Sequence, residues 1–285
     1  MKIIDAHQHF WKKELFSSNQ LPPGLDILVK DYQPQDLKPL IDRMGISQTV
    51  LVQTYSSFQN TLEFIEIANQ NDWIGAVVGW VDLADPEINL TMDSLKKYPK
   101  IKGVRHQWED ESDPAWILRP EILRGLKQVA KHGYSYDLLA KPHNWKYIPM
   151  LAEAVPDLPM VIDHIAKPNI RKRQYKEWDE TMVSAASFPQ IMLKLSGMIN
   201  EADWNNWTPK DLKPYILRGI ELFGLDRVMF GSDWPVCLVA GSYQQVFEAV
   251  QECLAGFSEA DCEKIFFKNA EKFYRISEIT KNKNF

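Results

Sequence analysis

Ile3-Ile4-Asp5-Ala6-His7-Gln8-His9 sits at the start of the chain, and the fold is read outward from it. Apolar β-branched residues leading into alternating polar ones are the pattern of a buried strand that ends on chemistry. Side chains on a strand alternate faces, so the spacing expects Asp5, His7 and His9 to project to one side together. Two imidazoles and a carboxylate on one face suit a metal ion or the oxygens of a substrate. A bare His-x-His also fits two unrelated histidines at a strand edge.

Similar short runs recur at Thr49–Thr54, Ala76–Val81, Ile101–His106, Tyr134–Leu139, Met160–Ile165, Ile191–Ser196 and Arg227–Ser232, making eight with Ile3–His9. Helical spacing fills most of the gaps, as at Asn60–Asn71, Pro120–His132, Tyr147–Val155 and Pro209–Phe223. Thr208-Pro209 supplies a cap and a first-turn proline, and Gly45, Gly133 and Gly224 stand where helices end. Strands alternating with helices predict parallel pairing, and eight such units close a (β/α)8 TIM barrel of the α/β class. No linker or repeat divides the chain, so residues 1–285 read as one barrel domain. Gly241–Phe273 supplies two extra C-terminal helices and Lys281–Phe285 a frayed tail. A doubly wound open sheet is the competing arrangement, but no glycine-rich phosphate loop follows the first strand.

The 285 residues are 45% apolar and 25% charged, ordinary for a globular protein. A net charge of −5 and the lack of a basic stripe weigh against nucleic acid; Arg171-Lys172-Arg173 is the densest basic run. Cys237, Cys253 and Cys262 have no metal-binding spacing and read as reduced thiols. No signal peptide fits before His7, and no apolar run approaches the ~20 residues that cross a bilayer. The expectation is a cytoplasmic protein with a small-molecule substrate and no nucleic-acid or membrane partner. Its oligomeric state is not legible.

A barrel gathers its chemistry at the C-terminal ends of its strands. His7 and His9 fall there on strand 1, Arg105 and His106 on strand 4, and Asp163 and His164 on strand 6, with Lys167 just beyond. Strand 7 carries Lys194 and Ser196, and strand 8 ends in Ser232-Asp233-Trp234. Each has a plainer reading: Asp233 as a helix cap, Lys194 as a snorkelling side chain, His106 as a loop histidine bonded to backbone. His132 reads as a helix-end cation, and Asp163, facing away from His164 by strand alternation, as scaffolding. Trp11 and Trp234 flank site residues and are candidates to line a pocket.

Asp5-Ala6-His7-Gln8-His9, Asp163-His164-x-x-Lys167-Pro168 and Gly231-Ser232-Asp233-Trp234-Pro235 together resemble the amidohydrolase superfamily, in its amidohydrolase-2 branch. Gly103-Val104-Arg105-His106 and Lys194-Leu195-Ser196-Gly197 make the chain similar to the sugar-acid and 2-pyrone-4,6-dicarboxylate lactonases of that branch. The resemblance implies that Asp233 is the general base toward water and that His164 orients or polarises the carbonyl. It implies that His7 and His9 hold water or substrate oxygen, that Arg105 binds substrate oxygens, and that Lys167 and Lys194 steady the oxyanion; His106 beside Arg105 is a further substrate-binding candidate. It implies a lactone substrate, such as an L-fucono-, L-rhamnono- or related aldonolactone, and no required cofactor. His7, His9 and Asp233 form an incomplete metal set that could hold one divalent ion such as zinc. Strand 5 ends Asp137-Leu138-Leu139-Ala140-Lys141 without the usual histidine, and His143 reaches inward only if its loop folds back. A zinc-dependent decarboxylase of an aromatic or muconate-like acid is the alternative, and a non-catalytic sugar-acid binder a third. Arg105, Lys167 and Lys194 would serve a dicarboxylate; Tyr55, Trp11, Trp108 and Trp234 suit a sugar ring and favour the sugar lactone.

Overall fold

Strands β1 (Ile4–Gln8), β2 (Gln48–Val52), β3 (Ile74–Gly79), β4 (Ile101–His106), β5 (Ser135–Leu138), β6 (Met160–Ile162), β7 (Ile191–Leu195) and β8 (Val228–Phe230) pair in chain order. Every pairing is parallel. The computed structural model describes residues 1–16 and 24–276; the expected tail at Lys281–Phe285 lies outside them. The ring closes just past β8, where the His9 N–H donates to the Trp234 carbonyl at 2.7 Å and the Asp233 N–H to that of His7 at 2.8 Å. The expected (β/α)8 barrel is thus the observed one.

Helices α1 (Pro34–Arg43), α2 (Phe58–Gln70), α3 (Ile88–Leu95), α4 (Pro120–Lys131), α5 (Ile148–Ala154), α6 (Lys176–Ala186), α7 (Pro209–Phe223) and α8 (Tyr243–Cys253) follow the strands in turn. Their starts carry local signals. At α7 the Thr208 N–H donates to Asp211 Oδ2 at 2.9 Å while Pro209 takes the first turn, where its missing donor costs nothing. Gly45, Gly133 and Gly224 all have positive φ (68°, 76° and 73°).

The barrel interior is split by height. Towards the N-terminal ends of the strands it is apolar: Ile4, Ala6, Val50, Val52, Ala76, Val78, Val161 and Met229 pack together. A C-terminal helix seals that end. It runs as α9 (Glu259–Glu263), a π turn (Lys264–Lys268) and α10 (Asn269–Phe273), and brings Phe267, Ala270 and Tyr274 into the apolar plug. Towards the C-terminal ends the lining becomes charged.

Candidate active site

At the mouth, four ligand atoms converge. His7 Nε2 lies 3.1 Å from His9 Nε2, and Asp233 Oδ1 lies 3.4 Å from His9 Nε2 and 3.8 Å from Nε2 of both His7 and His164. The opposite ring nitrogens are occupied. His9 Nδ1 bonds the Val52 carbonyl at 2.8 Å, His7 Nδ1 faces Asp163 Oδ1 at 3.3 Å, and His164 Nδ1 meets Ser196 Oγ at 2.9 Å. A ring whose Nδ1–H donates outward turns a lone pair inward on Nε2.

Burial drives all three imidazoles toward the neutral form: His7 far below its ordinary range, His9 below it, and His164 down to about 4. Burial also opposes ionisation of Asp233, yet the neighbouring His164, the bond to His9 and the nearby His7 outweigh it and hold the carboxyl below its ordinary range. Asn200 Nδ2 donates to Asp233 Oδ2 at 2.7 Å. Acceptor nitrogens 3.1 Å apart beside a carboxylate call for positive charge at the centre, either a shared proton or a cation. Tetrahedral zinc places its ligand atoms about 3.3–3.4 Å from one another; the separations among His7, His9 and Asp233 bracket that value, while the ligand atoms of His7, His164 and Asp233 lie within 4.8 Å of one another. Neutral imidazoles with one carboxylate are also the donor set zinc takes. His164 therefore joins His7, His9 and Asp233 in the candidate metal set, and His7, His164 and Asp233 by themselves form a compact triad. His143, which could reach inward only if its loop folded back, is exposed on the turn Pro142–Tyr147.

The backbone that presents His164 is unusual. β6 stops at Ile162, three residues short of the expected end, and His164, Ile165, Ala166 and Lys167 all have positive φ between 48° and 62°. Left-handed non-glycine residues cost free energy and persist only where surroundings dictate them. Two indoles do so: Trp145 donates to the Ala166 carbonyl and Trp178 to that of Ile165, each at 2.7 Å. The turn swings His164 back to the centre, where Asp163 already points. Gly197 makes room, since a Cβ there would sit 2.5 Å from His164 Nδ1.

Beneath the histidines lies a charged stack. Lys194 Nζ sits 2.5 Å from Asp137 Oδ2, 3.0 Å from Asp163 Oδ1 and 3.3 Å from His7 Nδ1, wholly out of solvent. Arg105 Nη1 donates to Asp163 Oδ2 at 3.1 Å and contacts His7 Nε2 at 3.2 Å, while Nη2 donates to the Gln53 carbonyl at 2.6 Å. Tyr274 Oη reaches up from the C-terminal plug to donate to Asp137 Oδ2 at 2.7 Å. Two cations balance two carboxylates, and the hydrogen bonds make burial tolerable.

Of the residues singled out from sequence, His7, His9, His164 and Asp233 meet at the centre, with Arg105 and Lys194 directly below. Arg105 and Lys194 reach Asp163, Asp137 and His7 from beneath the histidines. Asp163, assigned to scaffolding, stands in the middle of the stack. It shares the inward face with Val161, and the left-handed turn removes the alternation that was to oppose it to His164. Asp5 does not share the face of His7. A register shift between Asp5 and Gln8 breaks the alternation, and Asp5 instead accepts from Ser232 Oγ (2.6 Å) and from Tyr243 Oη of α8 (2.9 Å). His106 lies apart, stacked on Trp116 with ring centroids 4.1 Å apart and bonded to Glu111 at 2.7 Å. Trp11 and Trp234 both pack on Tyr32, and Trp108 is fully buried, while Tyr55 is half-buried. Lys167 is at the rim, paired with Glu109 at 2.7 Å. Asp137, Tyr274 and Glu109 were not singled out; an inward strand position opposite Lys194 was the available signal for Asp137.

A family model described as amidohydrolase matches residues 4–276. An L-fucono-1,5-lactonase of Burkholderia ambifaria is 34% identical, covering 96% of this chain and 95% of the relative. An L-fucono-1,5-lactonase of Burkholderia multivorans is 30% identical, covering 96% of each. A crystal structure of an amidohydrolase from Burkholderia multivorans with bound zinc superposes with a TM-score of 0.90 at 28% identity, over 97% of this chain and all of the other.

Proposed function

The chain belongs to the amidohydrolase family, and on that premise we propose that it hydrolyses the ring ester of a sugar-acid lactone, an L-fucono-, L-rhamnono- or related aldonolactone. The observation that carries the reading is the Asp233 carboxyl, held at a barrel mouth against three inward-facing imidazole nitrogens, neighbours that lower its pKa. Two near-complete relatives carry the lactonase name.

In this reading Asp233 Oδ1 takes a proton from water, whose position the acceptor nitrogens of His7 and His9 fix. The water oxygen adds to the ring carbonyl, and the electron pair of its C=O bond moves onto the carbonyl oxygen, which His164 orients. The ring carbon–oxygen bond then breaks, and the Asp233 proton passes to the leaving oxygen, which becomes a hydroxyl. The new carboxylic acid ionises and releases one proton per turnover. Asn200 keeps the Asp233 carboxylate in its orientation, and Arg105 and Lys194 hold His7 through Asp163.

His7, His9, His164 and Asp233 would hold a divalent ion such as zinc, which when bound supplies Lewis acidity toward the carbonyl and a lowered pKa for water. A lactone is an activated ester, so the side chains alone suffice for turnover in this reading, and metal is dispensable.

Acid release from a panel of aldonolactones, followed with a pH indicator on chelator-treated enzyme, tests both statements. Rapid opening of one or more lactones is the expected result. Activity absent after chelation but restored by zinc would transfer the carbonyl's activation to the metal. Silence with and without zinc would overturn the lactonase reading.

A further inference from the structure

Above Asp233 and His164, four consecutive strand-to-helix loops each contribute a charged side chain. Glu109 lies in the turn Trp108–Asp110 after β4, Lys141 follows β5, Lys167 ends the left-handed turn after β6, and Glu201 ends the turn Met198–Glu201 after β7. Lys167 Nζ lies 2.8 Å from Glu109 Oε1 and 2.7 Å from Oε2, spanning the carboxylate. Lys141 Nζ lies 3.6 Å from Glu109 and 3.2 Å from Asp110. The group adjoins the reaction centre: the Lys167 N–H donates to the His164 carbonyl at 2.8 Å, and Asn200, next to Glu201, donates to Asp233 Oδ2 at 2.7 Å.

The chemistry of this rim selects among lactones. Lys141 and Lys167 are offset by Glu109 and Asp110, so the rim offers no surplus positive charge to a dicarboxylate. It offers alternating acceptors and donors instead. A carboxylate accepts two O–H bonds, and an ammonium beside it donates to the same oxygens, an arrangement that fits two neighbouring hydroxyls on a ring. The Glu109 side chain is 10% exposed and that of Lys167 19%, shielded enough for strong bonds, and Glu109 Oε2 is buried with no hydrogen bond of its own. Burial pushes the Glu201 carboxyl up to about 7, which adds a further hydroxyl-bonding group on the neighbouring loop.

We propose that the Glu109–Lys167 pair is the subsite that reads the ring hydroxyls of the substrate, making it a polyhydroxylated lactone rather than a plain or dicarboxylated one. The assignment rests on the lactonase reading and goes beyond it by giving specificity to residues outside the His–Asp centre.

The test compares kcat/KM for a polyhydroxylated six-membered lactone with that for δ-valerolactone, its unsubstituted counterpart, in wild type, E109Q and K167M. Each variant removes one end of the pair, so a folding defect in one leaves the other informative. In both, the ratio of the two kcat/KM values is expected to fall by about tenfold to a hundredfold, the range for losing a charged hydrogen bond. A wild-type enzyme that opens lactones, with variants that keep the wild-type ratio, overturns this subsite while the lactonase reading stands. A wild-type enzyme inert on every lactone sinks the lactonase reading, and the subsite with it.

Discussion

Lys194→Met is the perturbation that separates a substrate-facing lysine from one buried in a structural stack. The side chain has no solvent exposure and lies 2.5 Å from Asp137 and 3.0 Å from Asp163, which are equally buried. With Arg105 these groups balance; removing Lys194 leaves one carboxylate too many in a low-dielectric interior. Breaking a buried pair on one side costs about 3–5 kcal/mol, against a total stability of about 5–15 kcal/mol for a folded protein. Urea unfolding should therefore show a large loss, and its pH dependence follows from the cause. Burial, only partly opposed by Lys194, already raises the Asp137 carboxyl to about 6, and without the ammonium it rises further. An acid whose folded pKa is raised contributes stability that is present at low pH and lost as pH climbs through that value. The gap between variant and wild type should accordingly be wider at pH 8 than at pH 5. Adding Asp137→Asn removes the surplus charge and should recover a large part of the loss. A stability change below about 1 kcal/mol, or one indifferent to pH, together with a depressed kcat, would refute this placement and return Lys194 to the substrate.

Asp233→Asn keeps the shape of the base but cannot take a proton. Lactone turnover should fall by about 10²–10⁴-fold, and the fold should persist with a lower melting temperature at neutral pH, because a carboxyl whose folded pKa is depressed contributes stability above its unfolded pKa. Trp178→Phe deletes the indole N–H that donates to the Ile165 carbonyl at 2.7 Å. It should cost about 1–3 kcal/mol in chemical denaturation and lower kcat as His164 loses its fixed placement. Glu201→Gln tests the raised carboxyl at the rim. Because burial lifts Glu201 to about 7, wild type should lose stability between about pH 4.5 and 7. The Gln variant should lack that slope and be the more stable above pH 7 by melting temperature.

The sequence by itself determined the elements and their order. Helix α7 lies at the expected Pro209–Phe223, β4 at the expected Ile101–His106, and three glycines fall at positive-φ helix ends. These are local matters: apolar spacing, caps and backbone freedom act within one segment. His7, His9, His164 and Asp233 were legible for the same reason, as polar residues at the ends of apolar strands. The inward stack was not. Arg105 and Asp163 are 58 residues apart and Asp137 and Tyr274 are 137 apart, so no periodicity links them. His164 joins Asp163 at the centre only because β6 ends early and four left-handed residues redirect the chain, a conformation held by Trp145 and Trp178 from elsewhere in the barrel. Glu109 meets Lys167 only where two loops converge over the mouth. Local hydrogen bonding and side-chain alternation set what each segment becomes, whereas which buried charges meet is decided by closing the ring, since each unpaired charge would cost several kcal/mol.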